Sequence, residues 1–359
     1  MARVLYGVMV ATNGHISRAL AIVRRLPEHQ FFFVGGGRLR EAIGDAYPIF
    51  TVPVLDTIRR RNRIHVTATC FQGIGNLART PRVCRQIRDT IEQWQPHAAI
   101  TDREFYLPIA ARIAGLHCLS IDHQHVVSAC HYPVPASQWI HRALFLASLR
   151  ALYEFADGNM VVSFFHPPLK SGGANELLPP VLRSEVVDVS AGTGKHVLVY
   201  QTTPAFTSLI DAARQLARPV IVYGFRDSQA VEGNLTFKPF DRRSILEDLA
   251  HCAYAVVNGG HNLLCEAFYF HKPVFCFPVS GDFEQFLNAW HVRDLGYGDF
   301  SISAAPSPDL FRRFELRLED CRANISRRFT DGTPVAIERV RQWVQRCVAE
   351  PDGAPTGGL

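Results

Sequence analysis

Two rhythms of apolar and polar positions alternate along this chain, and their succession predicts its architecture. Residues 3–10, RVLYGVMV, are almost continuously apolar. Ile16, Ala19, Leu20, Val23 and Leu26 then recur at helical spacing over residues 15–26. The succession repeats: strands over 31–34 and 49–54, a helix over 81–94, a strand over 97–101, a helix over 105–115, a strand over 117–121, a helix over 139–155 and a strand over 158–162. It resumes with strands near 196–200, 219–223, 253–257 and 273–277, separated by helices near 204–217, 242–251, 262–271 and 284–295. Apolar strands separated by helices imply parallel sheets covered on both faces, an α/β fold. Residues 55–79 follow neither period and read as a loop.

A length of 359 residues exceeds what one hydrophobic core usually fills, so the pattern divides into two Rossmann-like domains. Residues 1–165 form the first and 185–307 the second. Residues 166–184, with their prolines and Gly172-Gly173, are the linker. The stretch 308–348 is helical and long enough to cross back over the first domain, and 349–359 reads as a disordered tail.

Composition narrows the function. The net charge of +5 is modest for this length, and apart from the run at residues 59–63 the basic residues are scattered, which argues against a general nucleic-acid binder. Nine cysteines occur without a CxxC pair, and Cys252, Cys265 and Cys276 sit in apolar patterns, as expected in a reducing cytoplasm. The first apolar run reads as a buried strand, not a signal peptide, and no apolar run reaches the roughly 18–20 residues that span a bilayer. A peripheral position at the inner face of a membrane stays open, through the basic run or the apolar helix around Trp139, Ile140 and Leu144.

In open parallel sheets ligands bind beyond the carboxyl ends of the strands. There the first half offers Asn13, Gly14 and His15, then Asp102 and Glu104, then His123 and His125. His15 opens a helix, whose positive end disfavours an imidazolium, and a general base must be neutral. Asp102 is suited to orient that ring. The same spacing also fits two plain helix caps. In the second half, NGGHNLLCEAFYFHKPVFCFPVSGDFEQFLNA (258–289) places the turn Asn258-Gly259-Gly260 before a helix that begins near His261 and Asn262. First-turn amides attract anions, and Glu266 is a carboxylate able to accept from both hydroxyls of a ribose. A glycine turn with a buried glutamate is the structural alternative.

Other signals carry less. AGTGK at 191–195 fails the phosphate-loop spacing and precedes a strand. Cys118, His123, His125, Cys130 and His131 have no familiar zinc spacing, so neither a metal nor another cofactor is expected.

Three segments carry a family resemblance: GHISRALAIVRRL, ITDREFYLPIAARIAGL with SIDHQHV, and LEDLAHCAYAVVNGGHNLLCEAFYFHKPVFCFPVSGDFEQFLNA. Together they resemble the GT-B fold glycosyltransferases of the UDP-glycosyltransferase and MurG-like superfamily. The resemblance implies two Rossmann-like parallel-sheet domains facing across a cleft. It also implies inverting, metal-independent transfer of a sugar from a nucleotide diphosphate sugar, UDP-linked in most members, to an acceptor hydroxyl. His15 would then be the base and Asp102 its partner. Gly260 and His261 would hold the diphosphate, Glu266 the ribose, and Asp282, Glu284 and Gln285 the sugar. Thr202 and Thr203 match the phosphate-contacting loop, and Phe240 the base-contacting loop. The chain departs from the pattern in placing Ser17-Arg18 around the usual proline position, and Asp282-Phe283-Glu284-Gln285 where an acid-glutamine pair is usual. A UDP-sugar epimerase of the non-hydrolysing kind and a non-catalytic nucleotide-sugar-binding protein are the competing expectations.

Overall fold

The computed structural model describes residues 1–10, 13–55, 59–60, 63–64, 73, 75–202 and 204–350. Thr203, the side chain of Asn13 and the tail beyond residue 350 lie outside the described residues. The chain divides into two compact units, one of residues 1–58, 65–183 and 331–359, the other of residues 59–64 and 184–330.

The first unit is built on seven parallel strands: β1 (Arg3–Val8), β2 (Gln30–Gly35), β3 (Ile49–Thr51), β6 (Ala98–Asp102), β7 (Cys118–Asp122), β8 (Gly158–Val162) and β9 (Asn175–Leu178). Between β3 and β6 the chain forms two very short strands, β4 (Arg59–Arg60) and β5 (Arg63–Ile64), which pair antiparallel within the stretch expected to be a loop. The spatial order is β3-β2-β1-β6-β7-β8-β9. Alternate residues of β1 face opposite cores, Val4, Tyr6 and Val8 one and Leu5 the other. Burial on both faces is why this strand reads as a continuous apolar run.

In the second unit the strands are β10 (Val197–Tyr200), β11 (Val220–Tyr223), β12 (Ala230–Glu232), β13 (Leu235–Lys238), β14 (Tyr254–Val257), β15 (Val274–Cys276) and β16 (Gly298–Phe300). Their order is β12-β13-β11-β10-β14-β15-β16, and only the β12–β13 pair is antiparallel. Both sheets are therefore dominated by parallel pairing, and the fold is mixed α/β.

Three sequence expectations change. Residues 166–184 are not purely linker, since β9 pairs with β8 and completes the first sheet. The stretch 308–348 is three helices, Pro308–Glu315, Leu318–Arg328 and Thr333–Ala349. Phe311, Phe314, Leu318 and Cys321 of the first two pack in the core of the second unit. Ala336, Ile337, Val340, Trp343 and Val344 of the third pack in a core of the first. The break falls at 329–332, where the Gly332 amide bonds to the Pro180 carbonyl. The short strands β12, β13 and β16 were not expected, because none is buried along its whole length and none shows a continuous apolar run.

Candidate functional site

Strand order fixes where each sheet can hold a ligand. In the first unit the chain moves outward from β1 to β3 and then returns to lay β6 against the other side of β1, so the order reverses between β1 and β6. Val8 is in register with Asp102 there, and the Met9 amide bonds to the Asp102 carbonyl at 3.0 Å. The helix Asn13–Val23 follows β1 and buries Ile16, Ala19, Leu20 and Val23 on the sheet, which places His15 and Arg18, three residues apart, over the end of β6.

His15 Nδ1 lies 2.6 Å from Asp102 Oδ1. Arg18 forks the same carboxylate, Nε to Oδ2 at 2.8 Å and Nη2 to Oδ1 at 2.6 Å. All three side chains are buried, at 6%, 0% and 4% exposure for His15, Asp102 and Arg18. A carboxylate oxygen only accepts, so the proton between the ring and Asp102 belongs to Nδ1. Arg18 Nη2, a donor 3.1 Å from Nδ1, cannot then bond to it. In a neutral ring Nε2 is then the nitrogen left to accept a proton. For the Arg18 guanidinium, burial works against the charge, but the adjoining Asp102 outweighs it and holds the pKa above its ordinary value.

A second buried pair stands at the end of β7. His125 Nδ1 donates to Asp122 Oδ2 at 2.6 Å, the His125 amide to Oδ1 at 2.9 Å, and Ser120 Oγ to Oδ2 at 2.8 Å. His123, the other histidine of this loop, is 1% exposed, donates to the Val162 carbonyl at 3.0 Å and stands edge-on to Phe165. Glu104 caps the helix Tyr106–Ile113, accepting from the Tyr106 amide at 3.0 Å and the Leu107 amide at 2.6 Å. Burial pushes its carboxyl up to about 7, against the pull of those amides. It borders a shallow, solvent-open depression lined by Met9, Val10, Val54 and Arg103 at the carboxyl ends of β1, β3 and β6.

In the second unit the order reverses between β10 and β14. Asn258 ties the two strand ends together. Its Oδ1 accepts from the Thr202 amide at 2.8 Å, and its Nδ2 donates to Gln201 Oε1 at 2.6 Å and to the Phe277 carbonyl at 3.3 Å. Asn258 thus holds the turn together. Gly259 takes φ +100°, and a Cβ there would lie 2.9 Å from the Gln285 carbonyl oxygen, so only glycine fits. Gly260 is the N-cap of the helix His261–Tyr269, which has no side-chain cap, and the space beside its Cα is open. The helices Arg242–His251 and Phe283–Asp294 are by contrast capped by Asp241 and Asp282.

The remaining donor-side candidates divide. The His261 ring lies along its own helix, Nδ1 3.2 Å from Asn262 Oδ1 and Nε2 3.5 Å from Cys265 Sγ. Glu266 is buried on the same helix. Asp282 caps the Gln285 amide at 3.2 Å, and Gln285 Oε1 accepts from the Val279 amide at 3.0 Å. Both residues therefore shape the loop, while Glu284 lies half-buried on the first turn. Phe240 is exposed beyond β13 with its ring 5.8 Å from that of Tyr200. Among the described residues no group of three or more His, Cys, Asp or Glu could hold a metal ion, and no helix is long and apolar enough to cross a membrane.

Sequence reasoning gave Arg18 no role in the site. Arg18 had a signal, an arginine one turn after His15 where the resembling family has proline.

The comparisons with known proteins agree on the fold. The glycotransferase of kitacinnamycin superposes with a TM-score of 0.68 at 16% identity, over 95% of this chain and 98% of its own. MurG of Acinetobacter baumannii gives 0.61 at 13% identity, over 95% and 99%. UGT2 of Phytolacca americana, complexed with UDP-2fluoro-glucose and pterostilbene, gives 0.66 at 13% identity, over 96% and 100%. No curated protein matches the sequence. These likenesses show the GT-B fold, and the family model "Glycosyl transferase family 1" matches residues 2–318. The two parallel-dominated sheets and the match over most of the chain have one conclusion: the protein belongs to glycosyl transferase family 1 and is a glycosyltransferase.

Proposed function

We propose that the enzyme transfers a sugar with inversion, and without a metal, from a UDP-sugar to an acceptor hydroxyl, with His15 as general base. The observation that carries the reading is the 2.6 Å contact of His15 Nδ1 with Asp102, which leaves Nε2 as the basic nitrogen at the switch point of the first sheet. The acceptor hydroxyl attacks the anomeric carbon as its proton passes to Nε2. The bond from that carbon to the diphosphate breaks, and its electron pair leaves with UDP. Asp102 stabilises the imidazolium formed.

On the donor side, the uncapped N-terminus at Gly260 supports diphosphate binding through backbone amides, because a helix start stabilises the leaving anion without a cation. Thr202 stands across the same switch point as a second phosphate contact. Phe240 offers an exposed ring for the base, Glu266 a carboxylate for the ribose, and Glu284 with Gln285 polar groups for the sugar. The cysteines among the described residues are all free and buried, which fits a cytoplasmic enzyme.

The test is His15→Ala. Transfer from UDP-sugars should fall on the order of 10²–10⁴-fold, the usual worth of general-base catalysis, while UDP binding by calorimetry stays intact. Unchanged transfer would remove His15 from the chemistry.

A further inference from the structure

We propose that Arg18 is the positioning residue of the His15–Asp102 pair, carrying the counter-charge that leaves His15 a neutral Nδ1–H imidazole with Nε2 basic. The inference deepens, and rests on, the reading of His15 as base. Asp102 is fully buried, and a buried carboxylate requires a cation or a dense set of donors. Its two neighbours among the described residues with ionisable side chains bonded to it are Arg18, through a two-point fork, and His15, through one contact. While Arg18 supplies the positive charge, the ring needs to supply only an N–H. The fork also fixes the plane of the carboxylate, so that Oδ1 faces Nδ1 at 2.6 Å.

Among the described residues, Arg18 is the cation seen bonded to Asp102 beside the His15 ring. On the helix Asn13–Val23 the charged group is Arg18 itself. From β1 comes Tyr6, whose hydroxyl is held protonated as burial and the Asp102 charge both push its pKa up. From β6 comes Asp102, and from β7 comes Asp122, whose negative charge also acts on Arg18 and which is itself paired with His125. Tyr6 is neutral and Asp122 anionic, and His125, whose charged form Asp122 favours, is bonded to Asp122 and not to Asp102. Without Arg18, the nearest counter-charge for Asp102 is a second proton on His15, and a doubly protonated ring cannot act as base. The arginine stands where the resembling family has proline, so the device belongs to this chain's own sequence.

The ring nitrogens can be read directly, without any substrate, in multiple-bond ¹⁵N spectra of histidine-labelled full-length protein over a pH series. The His15 signals are assigned by their loss in His15→Gln. In the wild type the expected pattern is one tautomer, Nδ1 protonated and Nε2 bare. In Arg18→Met the second ring proton should persist to higher pH than in the wild type, and Arg18→Lys should restore most of the wild-type pattern. A wild-type pattern in Arg18→Met overturns the role of Arg18. If that variant does not fold, Arg18→Gln is read by the same criterion. A wild-type ring protonated on Nε2 instead of Nδ1 overturns the base reading itself, so the two failures are told apart.

Discussion

Replacing Glu104 by glutamine should reverse the sign of its stability effect with pH. Burial raises the Glu104 carboxyl from 4.5 to about 7 in the folded state. A carboxyl raised on folding contributes stability that is fully present below its unfolded value, near 4.5, and lost as pH rises through about 7. At about 1.4 kcal/mol per pH unit, that interval corresponds to about 3 kcal/mol given up by the wild type between acid and neutral solution. The substituted amide has no such titration, but an NH2 replaces one of the two oxygens to which the Tyr106 and Leu107 amides separately donate, so one of those amides loses its acceptor. The lost bond costs about 1 kcal/mol at every pH. Glu104→Gln should therefore be less stable than the wild type by about 1 kcal/mol near pH 4 and more stable by about 2 kcal/mol near pH 8. Urea unfolding of both proteins at the two pH values measures this. A difference that stays constant within about 0.5 kcal/mol would refute the claim that burial governs this carboxyl.

Three further outcomes follow from the geometry. Asp102→Ala leaves the Arg18 charge buried and unpaired and should cost about 3–5 kcal/mol, whereas the pair Asp102→Leu with Arg18→Met should recover much of the loss; additive single-variant effects in denaturant melts would contradict the ion-pair account. Gly259→Ala forces a Cβ against the Gln285 carbonyl at φ +100° and should weaken UDP binding in calorimetry, with an unchanged Kd counting against the placement of the diphosphate at this turn. Phe240→Ala removes an exposed ring and should raise the Kd for UDP by roughly five- to tenfold, on the order of 1 kcal/mol of lost aromatic contact; equal affinity would exclude this ring as the base platform.

Much of this protein was legible in its sequence, and for a physical reason. Strands buried on both faces must be apolar throughout and helices on a sheet must be apolar on one face, so the β1 run and the Ile16 to Leu26 periodicity announce parallel α/β units without any knowledge of contacts. The glycine turn before the helix at His261 was equally readable, because Gly259 answers a local backbone demand. Sequence left the rest open wherever meaning depends on partners distant along the chain. Whether His15 and Asp102 were two caps or one pair was decided by strand order, which brings residues 87 positions apart to 2.6 Å. The same tertiary placement makes Arg18 the buried partner of Asp102, and gives the candidate ligand contacts Asn258, Asp282 and Gln285 hydrogen-bond partners within the protein as well. A side chain's type is local, but whether its charge or hydrogen bonds are already satisfied is a property of the packed fold.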